Sequence, residues 1–202
     1  MHRPAGKLLA AAAMSLLTTL ALAQTGNQQP QMTPEEKAEM DAYMKAATPG
    51  APHQAIASSV GNYDLKIKSW HEAGSPAMEE TGTAIRTMML GGRVLAEDIS
   101  ATMMGMPYTG HGMFGFDNVT GKYWSTWNDT MGTGVMLSEG SCDAQMKNCT
   151  FTGSWTDPIK KTLITARMTT QWSSPTTEIF TMYGQGKDGK EMKMMEITYM
   201  KR

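Results

Sequence analysis

The residues able to do chemistry are few, and their spacing narrows what they could do. Histidine occurs four times and cysteine twice in 202 residues, while methionine occurs 21 times. His53 falls in a helical pattern, His71 in a polar turn, and His111 alternates with Met113 and Gly115 in an extended stretch. On an inward strand face, His111 would be available as a haem ligand, a general base or a polar tether. Glu97 and Asp98 are adjacent in another extended stretch, so alternation turns one of them inward. Asp129 shares a strand face with Tyr123, Ser125 and Trp127, a strip suited to lining a pocket. Carboxylates so placed would do acid–base work if burial raised a pKa. Structural pairing with Arg86, Arg93 or Arg167 is the commoner arrangement.

Methionine thioethers select Cu(I), and the densest cluster is Thr102-Met103-Met104-Gly105-Met106, with Met192, Met194 and Met195 second. Neither cluster has an accompanying histidine or a repeated Met-x-x-Met run, which favours methionine as an adaptable apolar filler. No Gly-x-Ser-x-Gly elbow, HExxH, Walker loop or Rossmann glycine run is present. A formal charge of −1 and a pI near 6.4 leave no basic excess for nucleic acid. Cys142 and Cys149 flank a six-residue turn between strand-like stretches. In an oxidising compartment this spacing predicts a disulfide bracing a hairpin, worth about 2.5 kcal/mol on the chain-entropy model.

The elements that must position these groups can be read along the chain. Residues 1–23 have a basic start (His2, Arg3, Lys7), an apolar run and a closing Ala21-Leu22-Ala23, the pattern of a signal peptide cleaved after Ala23. The expectation is a periplasmic or secreted protein with no membrane span after cleavage. Residues 24–31 read as a disordered linker and 32–60 as a helical arm. Thr33, Pro34 and Glu36 form a capping-box start, and Met40, Tyr43, Met44 and Ala47 recur on one face. A second turn, 52–60, groups His53, Ile56 and Val60.

From Gly61 the apolar period changes from 3.6 to 2. Turn signals at Gly91-Gly92, 117–121, 131–134, Asp157-Pro158, 173–175 and 186–189 divide the rest into about ten strands with no helix between them. A meander of that size closes rather than expose long edges. The sequence therefore predicts an all-β fold over residues 61–202: a single antiparallel up-and-down barrel preceded by a short helical arm.

Several dense motifs carry a resemblance. Met103-Met104-Gly105-Met106-Pro107, Gly115-Phe116-Asp117-Asn118, Tyr123-Trp124-Ser125-Thr126-Trp127, Met131-Gly132-Thr133-Gly134 and the ending 188–199 resemble the bacterial family catalogued as domain of unknown function 1579. The resemblance runs from about His53 to the C-terminus and implies a lipocalin-like barrel. Gly61-Asn62-Tyr63 is similar to the Gly-x-Trp that opens many such barrels, with tyrosine in place of tryptophan. The family supplies no catalytic residues. The expected function is non-catalytic binding of a small apolar or amphipathic ligand inside the barrel, with no cofactor. Met103, Met113, Tyr123, Trp127 and Tyr199 are candidate wall residues, and Glu97, His111 and Asp129 candidate polar anchors. The alternatives are a hydrolase or isomerase using an inward His/Asp/Glu set, and a haem or copper protein.

Overall fold

Thr33 opens α1 (Pro34–Ala47) with the capping box its spacing predicts: its side chain accepts from the Glu36 amide, and Glu36 Oε2 accepts from the Thr33 amide at 2.7 Å. The computed structural model describes residues 32–202, so the expected leader (1–23) and linker (24–31) lie outside the described residues. α1 buries none of its residues, and the face expected to pack is open, with Tyr43 68% exposed. The helix is held at its C-terminal end. There Arg93 donates to the Ala47 carbonyl and Asn118 to the Lys45, Ala46 and Thr48 carbonyls. These side chains satisfy carbonyls that a helix terminus leaves without partners.

α2 (Ala51–Ala57) does the packing. His53 and Ile56 are buried, His53 Nδ1 accepts from the Gly50 amide at 3.1 Å, and its ring stands edge-on to Phe116. Val60 lies past the end of the helix, so it leaves their face and is exposed, contrary to the sequence expectation.

Ten strands follow: β1 (Gly61–Ser69), β2 (Met78–Met89), β3 (Val94–Met103), β4 (Met106–Asp117), β5 (Lys122–Asp129), β6 (Met136–Cys142), β7 (Asn148–Thr156), β8 (Leu163–Ser174), β9 (Thr177–Gln185) and β10 (Glu191–Lys201). Each pairs antiparallel with the next. β1 then pairs with β10, from Tyr63 opposite Lys201 to Ser69 opposite Met195, and closes the barrel. Closure leaves no strand edge to solvate. The predicted all-β up-and-down barrel with a preceding helical arm is therefore the observed fold.

Alternation builds the walls. In β1, Tyr63, Leu65 and Ile67 are buried, Asp64 and Lys66 are exposed and Lys68 is half-buried. The Met104-Gly105 hairpin has both central residues at positive φ (52° and 73°), the twist that two-residue hairpins favour. β4 keeps its regular path through Gly110 and Gly112 because the Trp127 indole of β5 lies flat against them. A Cβ at Gly110 would stand 2.2 Å from that ring. On the other face Trp124 covers Gly115 in the same way, within 2.6 Å of where a Cβ would be.

Buried side chains gather in two groups. One lies along the seam (Tyr63, Leu65, Ile67, Ala84, Ile99, Ile197, Tyr199), the other beneath α2 (Ile56, Leu95, Tyr123, Met146, Phe151, Met168). Met146 reaches the second group from the β6–β7 turn. That turn is closed by the Cys142–Cys149 disulfide and by the Asp143 carboxylate, which accepts from the Lys147 and Asn148 amides.

The double variant Cys142→Ser/Cys149→Ser should keep its far-UV circular dichroism and lose about 2.5 kcal/mol of unfolding free energy in urea. Reductant should produce the same loss in the parent protein and none in the variant.

Candidate functional site: the barrel lumen

The two buried groups do not fill the barrel. Between them lies a cavity of about 840 Å³. It runs from Ser59, in the link beneath α2, to the opposite end, where residues 131–135 of the β5–β6 link and Pro158 of the β7–β8 turn border it. Most of the wall is apolar and soft: Met103, Met136, Met168, Met182 and Met195 line it, together with Phe180 and Trp172.

The charged lining residues are Arg86, Glu97, Asp129 and Glu178. Arg86 follows Ala84 on the inward face of β2. Its Nε donates to Glu97 Oε1 at 2.6 Å and its Nη1 to Glu178 Oε2 at 2.5 Å. Its guanidinium also lies 4.9 Å from the Tyr63 ring centre and 4.4 Å from that of Tyr199. Burial works against the arginine's charge, but the Glu178 and Glu97 carboxylates more than offset this and hold its pKa above the ordinary value. Burial raises the Tyr199 phenol well above its usual range, and the Glu97 charge adds to the effect.

Asp129 anchors a second polar group. Its Oδ2 accepts from the Tyr108 hydroxyl at 3.1 Å and from Trp127 Nε1 at 3.0 Å, and its Oδ1 accepts from the Met131 amide at 2.9 Å. Burial, with the neighbouring Asp129 charge second, pushes the Tyr108 phenol well up. On β2, Glu80 lies on the same alternation as Ala84 and Arg86, and its Oε2 is buried without a partner among the described residues.

Of the residues the sequence singles out, Glu97, Met103, Met113, Trp127, Asp129 and Tyr199 border the cavity. Tyr123 faces inward but is packed among Phe114, Phe116 and Phe151 beneath α2. His111 is a correction. It stands on the outer face, its side chain 52% exposed and its Nδ1 2.7 Å from Asp98 Oδ1. Met113 shares that outward alternation and is 38% exposed, although β4 borders the lumen at this point. The cause is the register of Trp127 on Gly110 and Gly112, which fixes the even-numbered residues of β4 as the inward set. No barrel strand turns a histidine inward, so the inward-histidine versions of the enzyme and haem readings lose their residue. The methionine clusters are split as well: Met103 lines the lumen while Met104 and Met106 are exposed. Among the described residues, no three His, Cys, Asp or Glu side chains lie close enough to hold a metal ion.

Glu178 and Tyr108 were not among the sequence candidates, and Arg86 entered only as one of three structural partners for the carboxylates, a role it fills with Glu97. The available signal was an isolated charge on an otherwise apolar alternation, as in Ala84/Arg86 and Glu178/Phe180/Met182. That pattern marks a charge turned inward.

A closed antiparallel barrel around a lumen, stopped at one end by a short helix, defines a lipocalin-like protein. The family profile described as "Protein of unknown function (DUF1579)" matches residues 48–201, and the chain belongs to that family. No curated protein sequence matches it. Among solved structures, the barrel is similar to that of Rv2717c from M. tuberculosis, with a TM-score of 0.59 and 10% identity over 76% of this chain and 98% of that one. It is also similar to the S-type phycobiliprotein lyase CPES from Guillardia theta, with a TM-score of 0.52 and 9% identity over 79% of this chain and 96% of that one. These likenesses concern the fold, and no site residue is carried across them.

Two measurements test the polar lining. Arg86→Met leaves the buried Glu178 and half-buried Glu97 carboxylates without their cation and should cost about 3 kcal/mol in urea unfolding, whereas Arg86→Met/Glu97→Met/Glu178→Leu should recover most of that loss. The raised phenol pKa values of Tyr63, Tyr108 and Tyr199 contribute stability that is complete below about pH 10 and lost as pH rises towards the folded-state values. Absorbance at 295 nm should therefore show these phenols ionising together with alkaline unfolding, not before it.

Proposed function

We propose that this is an exported, non-catalytic carrier that binds a small apolar or amphipathic molecule in the barrel lumen. The observation that carries the reading is the cavity of about 840 Å³ itself, which lies within the usual range for ligand sites. Its wall combines methionine and aromatic surface with a few fixed polar groups, the composition expected of such a site. A lumen held open this way forgoes packing contacts that a filled core would make. Export to an oxidising, periplasm-like compartment is supported by the leader-like residues 1–23 and by the Cys142–Cys149 disulfide.

The environment-sensitive neutral dye N-phenyl-1-naphthylamine tests the reading. Its emission should rise and shift to the blue on mixing with the protein. Thr170→Trp, which places an indole in the lumen from β8, should abolish the effect without changing the far-UV spectrum. Protein recovered from an osmotic-shock fraction should begin at Gln24 and release a hydrophobic small molecule on solvent extraction. Dye binding that is unaffected by Thr170→Trp would place the apolar site elsewhere and sink the proposal.

A further inference from the structure

Resting on the lumen as the binding site, we infer that its ligand is a cationic amphiphile: an ammonium-type head held over the Trp127 indole between the Glu97 and Asp129 carboxylates, with its apolar tail along the methionine wall. The inference starts from the sign of the lining charge. Glu97, Asp129 and Glu178 border the cavity against the single cation Arg86, so the surplus is negative. Arg86 is already engaged, since Glu97 and Glu178 each accept one of its N–H groups. An anionic head, such as a fatty-acid carboxylate, would meet an arginine already engaged by two carboxylates and a lining whose net charge repels it.

The strand register supplies the geometry. Glu97 of β3 stands opposite Gly112 of β4, and Asp129 of β5 stands opposite Gly110. The two acids therefore flank the stretch of β4 that carries no side chains, on the face occupied by the Trp127 indole. One face of the indole lies on the glycines. The ring also borders the cavity, and its Nε1–H is spent on Asp129 and Tyr108. What the ring still offers a ligand is a π-face, which attracts cations and no hydrogen-bond acceptor. Among the described residues nothing donates to Glu97 Oε2, and unlike Glu80 Oε2 it is not fully buried. It remains available to an N–H donor. The Tyr108 phenol responds to both Asp129 and Glu97, so the two carboxylates act on one small region.

Three amphiphiles that share a decyl chain and differ only in the head (decylammonium, decanol and decanoate) provide the test, each titrated below its micellar range by displacement of the neutral dye. Decylammonium should bind about tenfold or more tighter than decanoate, with decanol between them. Glu97→Gln/Asp129→Asn should remove the preference for the cation, bringing the decylammonium-to-decanol affinity ratio close to one. The ratio in the unaltered protein decides the matter if that variant does not fold. Equal binding of all three, or a preference for decanoate, would overturn the cationic ligand and leave the lumen reading intact. A preference that survives Thr170→Trp would assign it to the surface and overturn it too. Binding of none would remove both proposals.

Discussion

A guanidinium inside a barrel is tolerable only if its charge is met there, because removing it from water costs several kcal/mol that imperfect pairing does not return. Arg86 meets this condition by drawing on five consecutive strands. It sits on β2, binds Glu97 on β3 and Glu178 on β9, and lies against Tyr63 of β1 and Tyr199 of β10. These strands include the β1–β10 seam, where the first and last strands of the sheet must find each other. One buried cation thus ties the closure of the barrel to its interior, and the apolar group along the seam assembles around it.

On the other side of the lumen no such knot exists. The wall there is mostly apolar, with Met136, Met146, Phe151 and Met168 along it, and the Trp127–Asp129–Tyr108 group lies near the end furthest from α2. The difference has a simple origin. Polar groups in a low-dielectric interior must be satisfied by partners of fixed geometry, so they draw strands together, whereas thioether chains satisfy nothing and leave space. The lumen lies where the chain supplies the second kind of residue.

The barrel was legible because its cause is local. A change of period from 3.6 to 2, turn residues at short intervals and a capping box are written in neighbouring residues, and so was the disulfide across the β6–β7 turn. The site was legible only in part, because its causes are distant. Arg86 and Glu178 are 92 residues apart, and nothing in either segment names the other. His111 was assigned to the wrong face because the facing of β4 is decided by an indole from β5 lying on Gly110 and Gly112, a fact of packing and not of alternation. Asp129, Trp127 and Glu97 were found because a polar residue sharing a face with aromatic ones stands out in a single strand. The apolar face of α1 was read correctly as a pattern. Among the described residues it finds no partner, since α2 already occupies the end of the barrel.

The glycine stretch of β4 has a mechanical consequence. Trp127 covers its inner face at Gly110 and Gly112 and Trp124 its outer face at Gly115, so indoles from β5 replace the side chains those positions lack. The β8–β9 side opposes it with Met168 and Met182, whose unbranched chains can swing between rotamers at little cost. The lumen is thus stiff along one flank and compliant along the other. Whatever enters it is gripped by shape on the rigid flank and accommodated on the soft one. Such a chamber would be strict about one end of its guest and indifferent to the length and branching of the rest.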